Sequence, residues 1–233
     1  MILDKVSKNI HTIQTRIESV LDQYNKNNNK NNNVEIVAVT KNASYEETQA
    51  ILECGIYQLG ESKVQVAEEK INHFGREFAQ HHINWHLIGH LQTNKVKKAV
   101  QLFDCIQSVD SMRVLEKIDK ECGALNKQVD VFLQVNIANE PNKFGFSEVD
   151  LLEQMEQIKN FRNVVIKGIM VMGPNVEDVN VIESCFRHSA QLFEKIQKDV
   201  QTCRHLSMGM SQDFELAIAC GSTMCRLGTS LYK

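Results

Sequence analysis

The sequence predicts a single α/β domain over residues 1–233, a closed (β/α)8 TIM barrel with an extra N-terminal helix. After residue 34, short apolar segments and amphipathic helical segments alternate until eight strands are counted. Such alternation is typical of a parallel sheet with helical crossovers. The length of 233 residues also fits one barrel of roughly 200–250 residues. An open doubly wound sheet is the alternative, although no G-x-G-x-x-G motif follows the first strand.

The N-terminal segment predicts a helix over 3–24, because its apolar residues recur at spacings of three and four. These residues are Val6, Ile10, Ile13, Ile17, Val20 and Leu21. An Asn-rich tract over residues 25–33 follows. It has no apolar surface to bury, so we expect a polar surface loop rather than a recognition segment.

The remaining elements follow from apolar runs and from helix caps. The predicted strands are 34–39, 56–60, 85–88, 105–109, 129–135, 165–171, 205–207 and 223–227. The predicted helices between them are 44–54, 62–74, 93–102, 111–122, 147–159, 179–200 and 211–219. Ser44 and Glu47 form the pattern of a capping box at the start of the first of these helices.

Composition excludes several classes of protein. Hydrophobic residues make up 42% and charged residues 24%, as in a globular chain and not a disordered one. The net charge of −3 argues against binding to nucleic acid or to anionic membranes. No apolar run approaches the roughly 18 residues of a membrane span, and the N-terminus lacks a secretory signal. Seven cysteines without a C-x-x-C pair indicate free thiols, so we expect a cytoplasmic protein.

Lys41 leaves the first predicted strand, at the end of a barrel where active sites lie. Strand alternation places it on the same face as Val37 and Val39. In a partly desolvated barrel mouth its amine is a better nucleophile, which suits a Schiff base with an aldehyde. A solvated lysine at the end of a strand is the alternative.

The loops after the seventh and eighth strands have the features of a phosphate site. Gly209 and Ser211 precede a helix, with Ser211 as the expected N-cap, and Gly228 and Thr229 end the last strand. Barrels often hold a phosphate at these two loops. Ordinary turn glycines are the alternative. Because strands 1 and 8 are neighbours in a closed barrel, Lys41 and this site together indicate pyridoxal phosphate.

From about residue 34 to the C-terminus, the sequence resembles the YggS/PROSC family of pyridoxal phosphate homeostasis proteins. The resemblance lies in segments 37–41, 60–65, 85–95, 168–170 and 208–229. This family is similar to the barrel domain of alanine racemase, the fold type III pyridoxal phosphate-binding fold. Lys41 is then implied to carry the cofactor as a Schiff base.

The resemblance implies further site residues. Ser211, Gly228 and Thr229 would bind the phosphate, and Arg226 would face the pyridine nitrogen. A guanidinium accepts no proton, so the ring nitrogen stays neutral and the cofactor becomes a poor electron sink. The sequence has Ser62 where the family usually has Asn near the cofactor, which puts a direct contact from this position in doubt.

A histidine pair and a loop lysine each have a functional interpretation and a simpler structural one. His86 and His90 are four residues apart, but on a strand this spacing does not bring two rings together as a zinc site on a helix does. Lys143 follows the fifth strand. It is interpreted as a solvated loop lysine, and the resemblance offers a second, transient attachment point for the cofactor as the alternative.

Three functions compete, and the carrier is preferred. A non-catalytic carrier would buffer pyridoxal phosphate for vitamin B6 homeostasis and release it to apo-enzymes. An amino-acid racemase needs a second base, which two-domain relatives take from an additional domain and a partner subunit. This sequence ends at Lys233, directly after the strand-8 motif, so we expect that source of a second base to be missing. A regulatory module that senses the cofactor is the third. We expect a monomer that is no enzyme and binds neither metal, nucleic acid nor membrane.

Overall fold

In the computed structural model, eight parallel strands close into a barrel in the order β1-β2-β3-β4-β5-β6-β7-β8. The structure describes residues 1–28, 33–78, 80–138, 140 and 143–233. The barrel closes where β1 pairs with β8, with Ala38 opposite Leu227. This confirms the predicted (β/α)8 barrel and excludes the open sheet.

The strands alternate with helices throughout the described residues. The strands are β1 Glu35–Val39, β2 Gln58–Glu61, β3 Asn84–Leu87, β4 Cys105–Val109, β5 Val129–Val135, β6 Val164–Val171, β7 His205–Ser207 and β8 Met224–Leu227. The helices are α1 Ile2–Asn28, α2 Tyr45–Glu53, α3 Val64–Glu77, α4 Val96–Leu102, α5 Met112–Ala124, α6 Glu148–Ile158, α7 Val179–Asp199, α8 Phe214–Ala219 and α9 Thr229–Tyr232. A 3-10 turn at Thr93–Lys95 precedes α4.

The main differences from the predicted elements lie at both ends of the chain. Helix α1 continues to Asn28 instead of ending at Tyr24, so residues 25–28 of the predicted loop are helical. A formed helix gains one hydrogen bond per added residue, which carries it into a polar segment. The rest of the predicted loop lies outside the described residues, except Asn33, which is exposed. Helix α9 has only four residues, too few for a periodic pattern.

The core has two layers, because successive side chains of each strand point to opposite faces. The inner layer, inside the barrel, includes Val37, Cys105, Phe132, Met170 and Met224. The larger outer layer lies between the strands and the helices, and includes the predicted stripe Val6, Ile10, Ile13 and Ile17 of α1. Burial of this stripe attaches the extra helix to the barrel.

Helix α1 is also fixed by a contact to α8. Arg16 forms an ion pair with Glu215, with NH2 to Oε2 at 2.5 Å, and its guanidinium lies 4.8 Å from the centre of the Phe214 ring. Since α8 follows β7, this contact supports the loop that leads to the predicted phosphate site.

Among the helices of the described ranges, none is sufficiently long and apolar to cross a membrane.

Candidate functional site

Lys41 lies in a tight turn at the C-terminal end of the barrel, directly after β1. The amide of Ala43 donates to the carbonyl of Thr40 at 2.9 Å, so the chain leaves the strand before Lys41. The lysine is therefore exposed, which agrees with the alternative of a solvated lysine at the end of a strand and not with a desolvated amine in the barrel mouth. Strand alternation, which buries Val37, no longer applies after the backbone has turned.

A buried ion pair lies beneath this turn, and sequence reasoning missed it. Lys70 of α3 and Glu61 at the end of β2 are 5% and 0% exposed, with Nζ to Oε1 at 2.9 Å. The Lys70 ammonium also donates to the carbonyl of Thr40 at 2.5 Å. The sequence did contain an indication of this pair, because Lys70 is a charged residue on the apolar stripe of α3, between Ala67 and Phe74.

Ser211 lies after β7 but does not cap the helix as predicted. Helix α8 begins at Phe214, and Asp213 holds the N-cap position without a side-chain cap bond. Asp213 accepts instead from the amide of Met210 at 2.6 Å. A turn thus separates Ser211 from the helix, and its hydroxyl is available to the neighbouring loop.

The hydroxyl of Ser211 accepts from two backbone amides of the β8–α9 segment. These are the amides of Gly228 and Ser230, each 3.2 Å from Oγ, and the Ser230 hydroxyl donates to the same oxygen at 3.0 Å. Several donors therefore converge on one oxygen atom. Thr229 lies between these residues, is exposed, and begins α9. The structure thus brings together Ser211, Gly228 and Thr229, and adds Ser230, which adjoins the predicted motif.

Two glycines of this region differ in their role. Gly209 has φ +92°, and a Cβ there would lie 2.6 Å from the Cβ of Ala217, so the backbone itself requires glycine. Gly228 has φ −126°, and a Cβ would meet Val39 at an ordinary 3.4 Å. Internal packing therefore does not demand Gly228. The same contact places Gly228 beside Val39, two residues before Lys41.

Arg226 is buried in β8, where its guanidinium is held by carbonyl groups. NH1 donates to the carbonyl and to the hydroxyl of Ser207 at 2.8 and 2.7 Å, and NH2 donates to the carbonyl of Val171 at 2.8 Å. Burial lowers the pKa of Arg226 to about 10, so the group remains charged at neutral pH. Three of its five N–H groups are used in these bonds.

A chain of polar side chains connects Arg226 with His86 across the barrel interior. The hydroxyl of Ser207 donates to Oε1 of Gln107 at 2.7 Å, and Nε2 of Gln107 donates to Nδ1 of His86 at 3.0 Å. Nε2 of His86 then donates to Gln58 Oε1 at 2.7 Å. Burial, together with His205, lowers the pKa of His86 to about 3, so this histidine is a neutral member of the core network.

His90 and Lys143, which follow β3 and β5, both have local partners. Nδ1 of His90 lies 2.8 Å from a carboxylate oxygen of Asp110, while its ring stacks on Phe144. Lys143 is half-buried and donates to Glu140 and to the carbonyl of Gly173 at 2.7 and 3.0 Å, so it is not the solvated lysine that was expected. Across the described ranges, no three His, Cys, Asp or Glu side chains come together as a potential metal site.

Comparison with known proteins places the chain in a family. Residues 3–233 match the model of the alanine racemase N-terminal domain. A pyridoxal phosphate homeostasis protein of Helicobacter pylori strain J99 is 38% identical over 226 residues, covering 96% of both chains. The chain belongs to the pyridoxal phosphate homeostasis protein family. A member from Haemophilus influenzae is 30% identical over 229 residues, covering 97% of this chain and 94% of its own.

Solved structures agree with this family assignment. PipY of Synechococcus elongatus, solved with PLP bound, superposes with a TM-score of 0.83 at 29% identity, covering 98% of this chain and 100% of its own. An alanine racemase from Clostridium difficile has a TM-score of 0.72 at 12% identity, covering 98% of this chain and 55% of its own. The racemase likeness shows a shared barrel fold and nothing about activity.

Proposed function

We propose that this protein binds pyridoxal phosphate at the C-terminal end of its barrel and acts as a carrier in vitamin B6 homeostasis. The observation that carries the proposal is the convergence of amide and hydroxyl donors on the Ser211 oxygen, beside the strand that presents Lys41. Family membership supports it, and so does the relative PipY, whose structure contains PLP.

The described residues fit the chemical groups of this cofactor. A phosphate needs several hydrogen-bond donors. Ser211, Gly228 and Thr229 carry hydroxyl and amide groups within one loop pair, and the Gly228 amide, which here donates to Ser211, would turn to the phosphate. Gly228 has no side chain that would cover its backbone, and internal packing does not demand a glycine there. Lys41 offers a primary amine on the adjacent strand and is exposed, so a ligand can reach it.

When bound, pyridoxal phosphate supplies an aldehyde carbon that condenses with a primary amine and releases water. In our proposal, Lys41 supplies that amine and Arg226 faces the ring nitrogen. Arg226 has donors but no acceptor, and its position is fixed by Ser207 and Val171. A positive group at that place disfavours a protonated ring, which weakens carbanion chemistry. This supports a carrier that holds the cofactor without turnover.

The attachment site is tested by reduction and peptide mapping. The protein is incubated with pyridoxal phosphate, reduced with borohydride, and digested for mass spectrometry. We expect a yellow complex and a phosphopyridoxyl group on Lys41. The Lys41→Ala variant should lose the label, whereas Lys63→Ala, which removes an exposed lysine just after the neighbouring strand, should keep it. A colourless protein without label would overturn the proposal.

Carrier and enzyme are separated by two further assays. Transfer is measured as the recovery of activity of a pyridoxal phosphate-dependent apo-enzyme mixed with the loaded protein, with free cofactor as the reference. Alanine racemisation is measured with the same preparation. Transfer without racemisation supports a carrier, binding without transfer supports a sensing module, and racemisation that depends on Lys41 would show an enzyme.

We further propose a cytoplasmic monomer whose partners are pyridoxal phosphate-dependent apo-enzymes. The seven cysteines, all within the described ranges, are free, and six of them are buried. Free thiols are typical of a reducing compartment. Light scattering of the loaded protein at several concentrations tests the monomeric state, and a dimer mass would contradict it.

A further inference from the structure

We propose that the buried Lys70–Glu61 pair is a positioning device that holds the turn carrying Lys41. This inference rests on the proposed function of Lys41 as the attachment point of pyridoxal phosphate. It adds two positioning residues, from α3 and β2, that contact the backbone on both sides of Lys41 instead of contacting the cofactor.

The ammonium of Lys70 fixes both ends of this turn. It donates to the carbonyl of Thr40 at 2.5 Å and to the carbonyl of Ala43 at 3.3 Å. Its third bond goes to Oε1 of Glu61 at 2.9 Å. An ammonium has three donors, so the group is fully used, and two of its three bonds hold the residues that bracket Lys41 and Asn42.

Glu61 holds the same turn through a side chain. Its Oε1 accepts from the hydroxyl of Thr40 at 2.7 Å, while the amide of Thr40 donates to the carbonyl of Gly60 at 2.9 Å. Thr40 is completely buried. The residue immediately before Lys41 is therefore held at its amide, its carbonyl and its hydroxyl.

The pair is poorly explained by stability alone. Moving two charges out of water is costly, and a well-packed apolar pair is often as stable as a buried ion pair. Among the described residues, Oε2 of Glu61 has no hydrogen-bond partner although it is buried, which adds to this cost. The buried pair therefore costs desolvation free energy, and its hydrogen bonds converge on one turn. This combination indicates a role in fixing the geometry of that turn.

The test removes the ammonium at nearly constant length with Lys70→Met. The control is Lys98→Met in α4. It removes an exposed ion pair to Glu68, which lies in α3, the helix that also carries Lys70. Amide hydrogen exchange of the cofactor-free protein is measured first. We expect the Ala43 amide to exchange at least tenfold faster in Lys70→Met, while the Cys54 amide, bonded to Ala50 within α2, keeps its rate.

The second readout separates positioning from binding. Pyridoxamine phosphate has the phosphate and the ring but no aldehyde, so it cannot condense with a lysine. In Lys70→Met, its Kd should stay within twofold of that of the original protein. The rate at which pyridoxal phosphate becomes borohydride-trappable on Lys41 should fall about tenfold. Lys98→Met should change neither value.

A milder variant keeps the proposal testable if Lys70→Met fails to fold. Thr40→Val removes the hydroxyl bond to Glu61 at similar volume and should slow capture on Lys41 by two- to threefold. Unchanged Ala43 exchange and unchanged capture would overturn the positioning role, as would a uniform loss of protection across the barrel. If the original protein captures no cofactor on Lys41, the proposed function fails, and the exchange data alone then decide whether the pair fixes the turn.

Discussion

His86 should make the barrel sensitive to mild acid. Its ring is 3% exposed and is held between Gln58 and Gln107 in the neutral form. Burial lowers its pKa to about 3 in the folded protein, whereas an unfolded histidine titrates near 6.5. Below pH 6.5, His86 therefore becomes protonated in the unfolded chain but stays neutral in the folded chain. As a result, the free energy of unfolding falls as the pH falls.

The size of the effect follows from these two pKa values. Proton uptake by the unfolded state alone lowers the free energy of unfolding by RT ln(1 + 10^(6.5 − pH)) as long as the pH stays well above 3. This amounts to about 0.2 kcal/mol at pH 7 and about 2 kcal/mol at pH 5. The folded protein should therefore lose about 2 kcal/mol through His86 between these two conditions.

Urea unfolding measures this loss, with the fluorescence of Trp85 as the probe. Trp85 is the only tryptophan and is buried in the same strand as His86. His86→Gln keeps a donor and an acceptor but does not titrate, so its stability should fall about 2 kcal/mol less between pH 7 and pH 5. His82→Gln, which changes an exposed ring, should follow the original protein. Equal losses in the original protein and in His86→Gln would refute the reasoning.

Three other predictions concern the fold around the site. Gly209→Ala should lower the free energy of unfolding by about 2–5 kcal/mol, because a left-handed backbone and a contact of 2.6 Å with Ala217 are both unfavourable for alanine. Urea titrations measure this loss, and a loss below about 1 kcal/mol would contradict the geometry. Arg16→Ala removes an exposed pair with Glu215 and the contact of the guanidinium with the Phe214 ring. It should cost about 1–2 kcal/mol in the same titrations, and less in 1 M salt. Dithionitrobenzoate should label Cys54 first and the six buried thiols only on unfolding; fast labelling of several thiols in the folded protein would be the contrary result.

The barrel could be predicted from the sequence because its signals are local. Every predicted strand lies within two residues of the observed one, since each is an apolar run bounded by polar or turn residues. The capping box of Ser44 and Glu47 was also predicted, and both of its bonds are present. Burial and capping of this kind depend on residues close together in the chain.

The predicted exposure and partners of the site residues were less successful. Of the two alternatives for Lys41, the structure shows the solvated one, because a turn starts at Thr40 and ends the alternation of the strand. Ser211 was expected to cap its own helix, yet its hydroxyl binds amides of the segment after β8. These contacts join residues 17 and 19 positions apart, and no periodicity in the sequence indicates them.

By itself, the sequence determined the eightfold alternation of strands and helices and the family to which the chain belongs. It also determined which residue types stand at the ends of strands 1, 7 and 8. Only the tertiary structure decided that Lys70 reaches the turn beneath Lys41, and that the neutral His86 joins a polar network that ends at the charged Arg226. The physical reason is that periodicity reports which face of an element is buried, whereas the partner of a buried polar group depends on how distant strands and helices pack together.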